Sequence, residues 1–403
     1  MQKKHVIVIG GGAAGFFSAA NIDASKYYLT ILEQNQDVLQ KVKISGGGRC
    51  NVSHAEFDPR ELVEYYPRGK KELKGVFSKF QPADTLDWFS QRGVEIKIEN
   101  DSRMFPISNS SLSIINCLKN EVLNKGFEIR NKTTVLAIEQ QQESYIVQSS
   151  AGEFKADYVI FATGSSPKSL KLLESLNHKL VPQVPSLFTF NIKDPRLEGL
   201  AGTSFPLAEV SLPQLKSGES GPLLITHWGL SGPCILKASA WNARELADLK
   251  YDFKIVVNFI NLSFEEAKSQ LIEYKELHPK KSLSQSKLFE VTNRFWNQMI
   301  RYSHINEEIQ LANLSIAQIH AFLKNLCESE FQVKGKSTFK DEFVSAGGVD
   351  LKEIDFKTMA SKKQERLYIA GEVLNIDAIT GGFNFQACWS EGWLISQALN
   401  NLP

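Results

Sequence analysis

HVIVIGGGAAG, residues 5–15, decides how the chain is read. His5 to Ile9 is a short β-branched run without polar alternation, the pattern of a strand buried on both faces of a parallel sheet. Gly10, Gly12 and Gly15 then fall in a GxGxxG register, and the run through Phe16, Phe17, Ala19 and Ala20 is helix-compatible. In such a turn the first glycine permits the tight bend, the second lets a diphosphate approach the backbone, and the third lets helix pack on strand. The helix start, at Ala13 and Ala14, offers the phosphates unpaired N–H groups and the positive end of its dipole. A second strand, Tyr28 to Leu32, ends on Glu33, 18 residues after Gly15 and followed by Gln34. A carboxylate there accepts hydrogen bonds from both ribose hydroxyls and disfavours a 2′-phosphate. Together these features predict a dinucleotide-binding βαβ unit in an α/β fold, with NAD and FAD both open.

Later segments decide between the two. Lys43-Ile44-Ser45-Gly46-Gly47-Gly48-Arg49-Cys50-Asn51 forms no regular element and suggests a loop whose backbone presses against something flat or anionic. Thr133 to Glu139 and Tyr145 to Ser149 read as hairpin strands, with Gly152 in the turn leading to a buried strand, Tyr158 to Thr163. That strand closes on Ala162-Thr163-Gly164, and this order of elements points to FAD lying along one extended domain. Arg366 to Ala370 is a strand leading into Gly371-Glu372, where a carboxylate can hold ribitol hydroxyls. Gly381-Gly382-Phe383-Asn384-Phe385-Gln386 precedes an apolar helix from Ala387 to Leu399, whose N-terminus suits negative charge at the flavin N1–C2=O edge on reduction.

These residues resemble the BaiN-like family of bacterial NAD(P)/FAD-dependent oxidoreductases. The resemblance rests on GGGAAG at 10–15, KISGGGRCN at 43–51, YVIFATG at 158–164, THWGLSGP at 226–233 and YIAGEVLNIDAITGGFNFQACWSEG at 368–392. It implies non-covalent FAD in a discontinuous Rossmann-like domain carrying a β-barrel-like insert and a small helical insert. It also implies that Gly10, Gly12, Ala14 and Gly15 meet the pyrophosphate, Glu33 the adenosine ribose, and Val135 the adenine through its backbone. Lys43, Ser45, Gly46, Arg49, Cys50 and Asn51 are then expected along the FAD, Gly371 and Glu372 at the ribitol, and Gly382, Phe383 and Asn384 at the isoalloxazine. Neighbouring Ala13, Gln34, Gly48, Ala162, Thr163 and Gly164 complete the expected lining. Broader relatives carry Asp where this chain has Glu372, and the longer side chain keeps the acceptor.

Length and composition agree with several domains: 403 residues, 42% hydrophobic and 23% charged, with a formal net charge of +1. That balance excludes wholesale disorder and a globally basic nucleic-acid binder. Five scattered cysteines without a CxxC pair argue against a disulfide framework or a metal site and fit a reducing cytoplasm. No apolar run is long enough to span a membrane, and the glycines at 10, 11, 12 and 15 break the only stretch that imitates a signal peptide. Short β-like runs fill 188–261 and return at 330–345, helical composition fills 262–329, and the FAD domain is expected over 1–187 and 346–403. Helices are anticipated over 263–274, 286–302 and 315–326.

For chemistry, His227 in Thr226-His227-Trp228-Gly229 is a candidate acid or substrate ligand, or else a structural histidine. Cys50 is either a redox thiol or a small side chain lining the FAD. Trp228 and Phe383 either stack on flavin or substrate or belong to the core. Only one GxGxxG is present, so NAD(P)H is expected as a transient reductant at the flavin face, if it is the donor. The favoured reading is reduction or oxidation of a C=C or similar bond in a small molecule. A flavin-dependent RNA enzyme making dihydrouridine is a second reading. It draws on Tyr65, Tyr66, Arg68, Lys70, Lys71, Lys74, Phe77 and Lys79, a basic and aromatic stretch that a solvated helix face also explains. A non-catalytic FAD-binding protein is the third.

Overall fold

The computed structural model describes residues 3–337 and 344–403. They divide into two compact units, one within Met1–Val184 and Lys340–Pro403 and the other within Pro185–Phe339.

The first unit is built on a parallel sheet. Its strands are β1 (Lys4–Ile9), β2 (Tyr27–Leu32), β3 (Glu128–Arg130), β4 (Tyr158–Phe161) and β5 (Leu367–Ile369), in the spatial order β5-β4-β1-β2-β3. Val6, Ile7, Val8, Val159, Ile160 and Phe161 have no exposed surface, which explains why these runs show no polar alternation. Register is set by parallel pairs such as Val8 with Ile31, Val8 with Ile160, and Ile160 with Tyr368. Two short antiparallel strands, Ile354–Asp355 and Ala360–Ser361, extend the sheet beyond β5.

Helix α1 (Ala13–Asn21) follows β1, and helix α2 (Phe383–Asn400) closes the chain. They pack closely: a β-carbon at Gly392 of α2 would lie 2.9 Å from the Ala14 carbonyl oxygen and 3.0 Å from the Ser18 nitrogen of α1. Helix α2 begins at Phe383, four residues before the expected start, because Gly382 in the left-handed region (φ 96°) serves as its N-cap. The expected two-stranded hairpin is a three-stranded meander, Val135–Gln141, Ser144–Ser149 and Gly152–Ala156. The last of these strands opens at Gly152. A small antiparallel sheet of Ser53–His54, Arg103–Pro106 and Ile96–Ile98 was not anticipated, since its strands are too short to show a period.

The second unit is an antiparallel seven-stranded sheet. Its order is Ser329–Lys334, Asp252–Asn258, Ser204–Leu212, Ser217–Thr226, Gly229–Ser231, Thr189–Asn191 and Lys336–Ser337. The two end strands are separated in sequence by Gly335 alone. The Gly335 N–H donates to the Tyr251 carbonyl, and its own carbonyl accepts from Asn191 N–H, so the sheet curls back on itself in a barrel-like manner. Phe190, Val210, Ile225 and Ile255 share one core with Phe295, Trp296 and Phe322 from the helices Asn293–Tyr302 and Ile316–Cys327. The helix anticipated over 286–302 starts only at Asn293, because the Thr292 hydroxyl accepts the Phe295 N–H as an N-cap. No helix of the described residues is long and apolar enough to cross a membrane.

Gly15 has the least room of the glycine turn, since a β-carbon there would overlap the Gly10 carbonyl oxygen and lie 3.0 Å from Val8. Gly15→Ala is expected to lower stability by about 1–3 kcal/mol, read as a lower thermal midpoint than that of a Gly75→Ala control, where nothing lies within 4 Å of the added carbon and the backbone is helical.

Candidate functional site

The glycine turn forms as the sequence requires. Gly10 adopts φ 105°, and a β-carbon there would lie 2.7 Å from the carbonyl carbon of Ala162 at the end of β4. Gly12 is the N-cap of α1 with no side-chain cap, and its added β-carbon would meet nothing closer than the Ala162 oxygen at 4.0 Å. The first turn of α1, Ala13 to Gly15, is thus left for an external anion.

Glu33, 8% exposed, follows β2. Its Oε2 accepts the Gly11 N–H at 2.8 Å, and its Oε1 accepts the Asn35 N–H at 2.8 Å and the Asn35 carboxamide at 2.7 Å. These donors fix the carboxylate beside the turn, while Gln34 points to solvent. Val135 opens its strand opposite Ser149. After β4, Ala162 donates to Ile9, Gly164 takes φ 66°, and the Thr163 hydroxyl is buried without a partner among the described residues.

The second glycine cluster is a helix, Gln40–Ile44, running into a 3-10 turn, Ser45–Gly48, with φ of 58°, 68° and 83° at Gly46, Gly47 and Gly48. Gly46 is packed against Phe105 and Asn51, whereas Gly47 and Gly48 are open. The Ser45 hydroxyl donates to the Val42 carbonyl, the Lys43 carbonyl accepts from the Ser111 hydroxyl, and the Lys43 side chain is exposed. Arg49 bonds Glu99 at 2.7 Å with its guanidinium 3.9 Å from the centre of the Phe105 ring. Asn51 has a buried carboxamide oxygen with no partner among the described residues, and it lies 2.8 Å from where a Gly382 β-carbon would stand.

Four buried side chains lock this segment onto α2. Gln386 Oε1 accepts from the Ser53 hydroxyl at 2.6 Å and the Thr85 hydroxyl at 3.0 Å, and its amide donates to Ser390. Such a fully paired network holds two segments in one geometry. Side chains expected at the flavin are partly committed elsewhere. The Phe383 ring, 1% exposed, lies 4.4 Å from His54 and 4.4 Å from Tyr65, so it is a core ring and leaves only backbone to a ligand. The Asn384 carboxamide closes its own loop, accepting from Ala378 N–H and donating to the Ala378 carbonyl. Glu372 forms an ion pair with Lys41, and Gly371 donates its N–H to Glu391 at 2.6 Å. His54, Lys41 and Glu391 were missed by the sequence reading, and Tyr65 entered it only within the basic and aromatic stretch. Only Glu391 carried a signal, as a lone acid in an otherwise apolar helix.

Cys50 has no exposed surface, and burial pushes its thiol up to about 12 despite a hydrogen bond with Ser45. It is a neutral, packed side chain at physiological pH, which weighs against the redox-thiol reading. His227 and Trp228 occupy the exposed turn between Ser217–Thr226 and Gly229–Ser231 in the second unit. In the basic stretch, Tyr66 and Phe77 are core, Arg68 pairs with the buried Asp377, and Lys70 pairs with Glu64. Lys71, Lys74 and Lys79 remain exposed, so the alternation of base and aromatic seen in the sequence is not a surface feature.

The residues present fit FAD. They supply an uncapped glycine-led helix for the diphosphate, a fixed carboxylate beside it, unpartnered polar atoms at Asn51 and Thr163, and a second uncapped helix start at Gly382. The family described as "HI0933-like protein Rossmann domain" matches residues 4–398. The chain belongs to this family. It is an FAD-dependent oxidoreductase with a Rossmann-type fold. Among curated relatives, it is 25% identical to the "Ribosomal RNA dihydrouridine synthase" of Escherichia coli (strain K12), over 99% of this chain and 98% of the relative. It is also 25% identical to the "3-dehydro-bile acid delta(4,6)-reductase" of Clostridium scindens, over 98% of this chain and 99% of the relative. The fold is shared with a solved 3-ketosteroid-delta4-(5alpha)-dehydrogenase from Rhodococcus jostii RHA1, at TM-score 0.51 and 9% identity, covering 99% of this chain and 97% of that one.

All five cysteines are buried and free, and burial raises the thiols of Cys50, Cys117, Cys234, Cys327 and Cys388. Ellman's reagent at pH 7.5 is therefore expected to find no rapidly reacting thiol in the native protein and five after denaturation; a fast equivalent assigned to Cys50 by peptide mapping would restore the redox reading.

Proposed function

We propose that this chain reduces a C=C bond conjugated to a carbonyl, with NAD(P)H as the donor to its FAD. The observation that carries the reading is the pair of uncapped, glycine-led helix starts in one unit, Gly12 before α1 and Gly382 before α2. The first suits a diphosphate, and the second suits the negative charge that a flavin gains at its pyrimidine edge on reduction. In this reading Gly10, Gly12, Ala13, Ala14 and Gly15 hold the diphosphate, and Glu33 takes the ribose. Lys43 to Asn51 and Ala162 to Gly164 line the cofactor. Gly371 and Glu372 meet the ribitol, and Gly382 to Asn384 meet the ring through backbone.

FAD, when bound, supplies a hydride to the β-carbon of such a bond. The chain's part is to orient the substrate, exclude water and deliver a proton to the α-carbon. The two full-length relatives support the bond type. The two delta(4,6) double bonds beside a 3-dehydro group and the C5=C6 bond of uracil are all C=C bonds in conjugation with a carbonyl. A small enone is the preferred substrate class, since the aromatics Tyr66 and Phe77 of the stretch that favoured RNA lie in the core and Arg68 pairs with the buried Asp377, which leaves its lysines without rings on which bases could stack. The RNA reading keeps specific support in the Escherichia coli relative, a ribosomal RNA dihydrouridine synthase. His227 stands as a candidate acid, on an exposed turn.

The test is anaerobic. The oxidised-flavin bands are expected to bleach with NADH or NADPH and to return on adding a steroid-like enone, with two hydrogens gained by mass spectrometry. Return with uridine-containing ribosomal RNA instead, with salt-sensitive binding, would select the second reading. Flavin that no donor reduces would overturn both and leave a non-catalytic FAD protein.

A further inference from the structure

Glu391 lies in the middle of α2 with no exposed surface. Its Oε2 accepts the Gly371 N–H at 2.6 Å, while its Oε1, equally buried, has no partner among the described residues. The titratable groups around it are Cys388, one turn earlier on α2, and Tyr66, whose hydroxyl donates to the Phe383 carbonyl. Burial drives both of these well up, so both are neutral. Helix α1 packs here through Ala14 and Ser18 and carries no titratable side chain. The charged groups that also act on Cys388 are Glu372 and Lys41, and these pair with each other. With no cation turned to it, the Glu391 carboxyl is favoured as the neutral acid, since an unpaired charge in a dry interior is strongly penalised.

The group that Glu391 holds is not incidental. Gly371 takes φ 83°, and a β-carbon there would lie 3.3 Å from the Ala14 side chain and 3.7 Å from Cys388 Sγ. It is wedged between the first turn of α1 and α2, and it directly precedes Glu372. We propose that Glu391 is a positioning residue for the cofactor: by accepting the Gly371 N–H it fastens the Gly371–Glu372 turn against the start of α1, and it does so as a neutral acid, so that its ionisation weakens FAD binding through repulsion between like charges.

This rests on the FAD site proposed above. The diphosphate brings negative charge to the start of α1, where Ala14 leaves no free space for a β-carbon at Gly371, so the protonated form of Glu391 is the form that binds FAD. The sign follows from linkage. Burial raises the carboxyl to about 8, opposed by the Gly371 N–H. Below that pH the acid is neutral with and without FAD, and affinity is flat. Above it, binding FAD requires taking up a proton, and affinity falls as pH rises.

The experiment measures FAD dissociation constants for the full chain between about pH 6.5 and 9, by flavin fluorescence after removing and re-adding the cofactor. The wild type is expected to hold one affinity up to about pH 7.5 and to weaken by roughly tenfold by about pH 9, the limit for one proton over one pH unit. Glu391→Gln keeps an acceptor for Gly371 and has no proton to lose, so its affinity should match the low-pH wild type and stay flat. Glu391→Leu has no acceptor and should bind FAD at least about tenfold more weakly at every pH, with far-ultraviolet circular dichroism confirming the fold. A flat wild-type profile, the same fall in Glu391→Gln, or undiminished binding by Glu391→Leu each overturns the proposal. If Glu391→Leu does not fold, the two pH profiles decide alone. A wild type that binds no FAD at any pH overturns the underlying cofactor site instead, and this proposal with it.

Discussion

Three backbone segments meet at Gly10, Gly15 and Ala162 closer than any side chain allows, and the first unit is organised around that contact. Because Gly10 lies against the end of β4 and Gly15 against Gly10, α1 can start directly from β1 without a longer loop. The same closeness leaves the first turn of α1 uncapped and turned to whatever lies beyond Gly12. Helix α2 then packs on α1 through another glycine, Gly392. Glycines at helix crossings let axes approach, and here each brings a helix start into the same unit.

The start of α2 is held more firmly than a glycine-rich loop suggests. Tyr66 donates to the Phe383 carbonyl, Asn384 clamps Ala378, and Gln386 ties the helix to Ser53, Thr85 and Ser390. The bonds of Tyr66 and Gln386 are buried, where a polar group without a partner is penalised most, so each enforces its geometry, while the Asn384 pair is half-buried. The result is a rigid backbone surface at Gly382 built by side chains that face away from it.

The electrostatics of the site follow the same logic. Arg49, Arg68 and Lys41 lie along the segments that lead to it, yet each is matched by an acid: Glu99, Asp377 and Glu372. The dipoles of the two uncapped helix starts thus contribute positive potential beside side chains that are already paired. A buried acid such as Glu391 is tolerable in this setting only without its charge, which couples its proton to any anion placed at α1.

What the sequence determined by itself was everything that depends on neighbours in the chain. The βαβ turn, the carboxylate after β2, the ATG strand and the apolar C-terminal helix are local patterns, and backbone geometry leaves them one reading. The family resemblance was carried by the same local blocks. Tertiary structure alone decided what each side chain does with its polar or aromatic group. Phe383 stacks with His54 and Tyr65, Asn384 closes its own loop, and burial raises the Cys50 thiol. Tyr66 and Phe77 lie in the core, and Arg68 turns to the buried Asp377. Desolvation and hydrogen-bond partners come from residues tens to hundreds of positions away, as with Gln386 and Ser53, and no local period encodes them. Glu391 shows both sides: its oddity was visible in an apolar helix, and its partner, Gly371, became visible only when α2 was laid against α1.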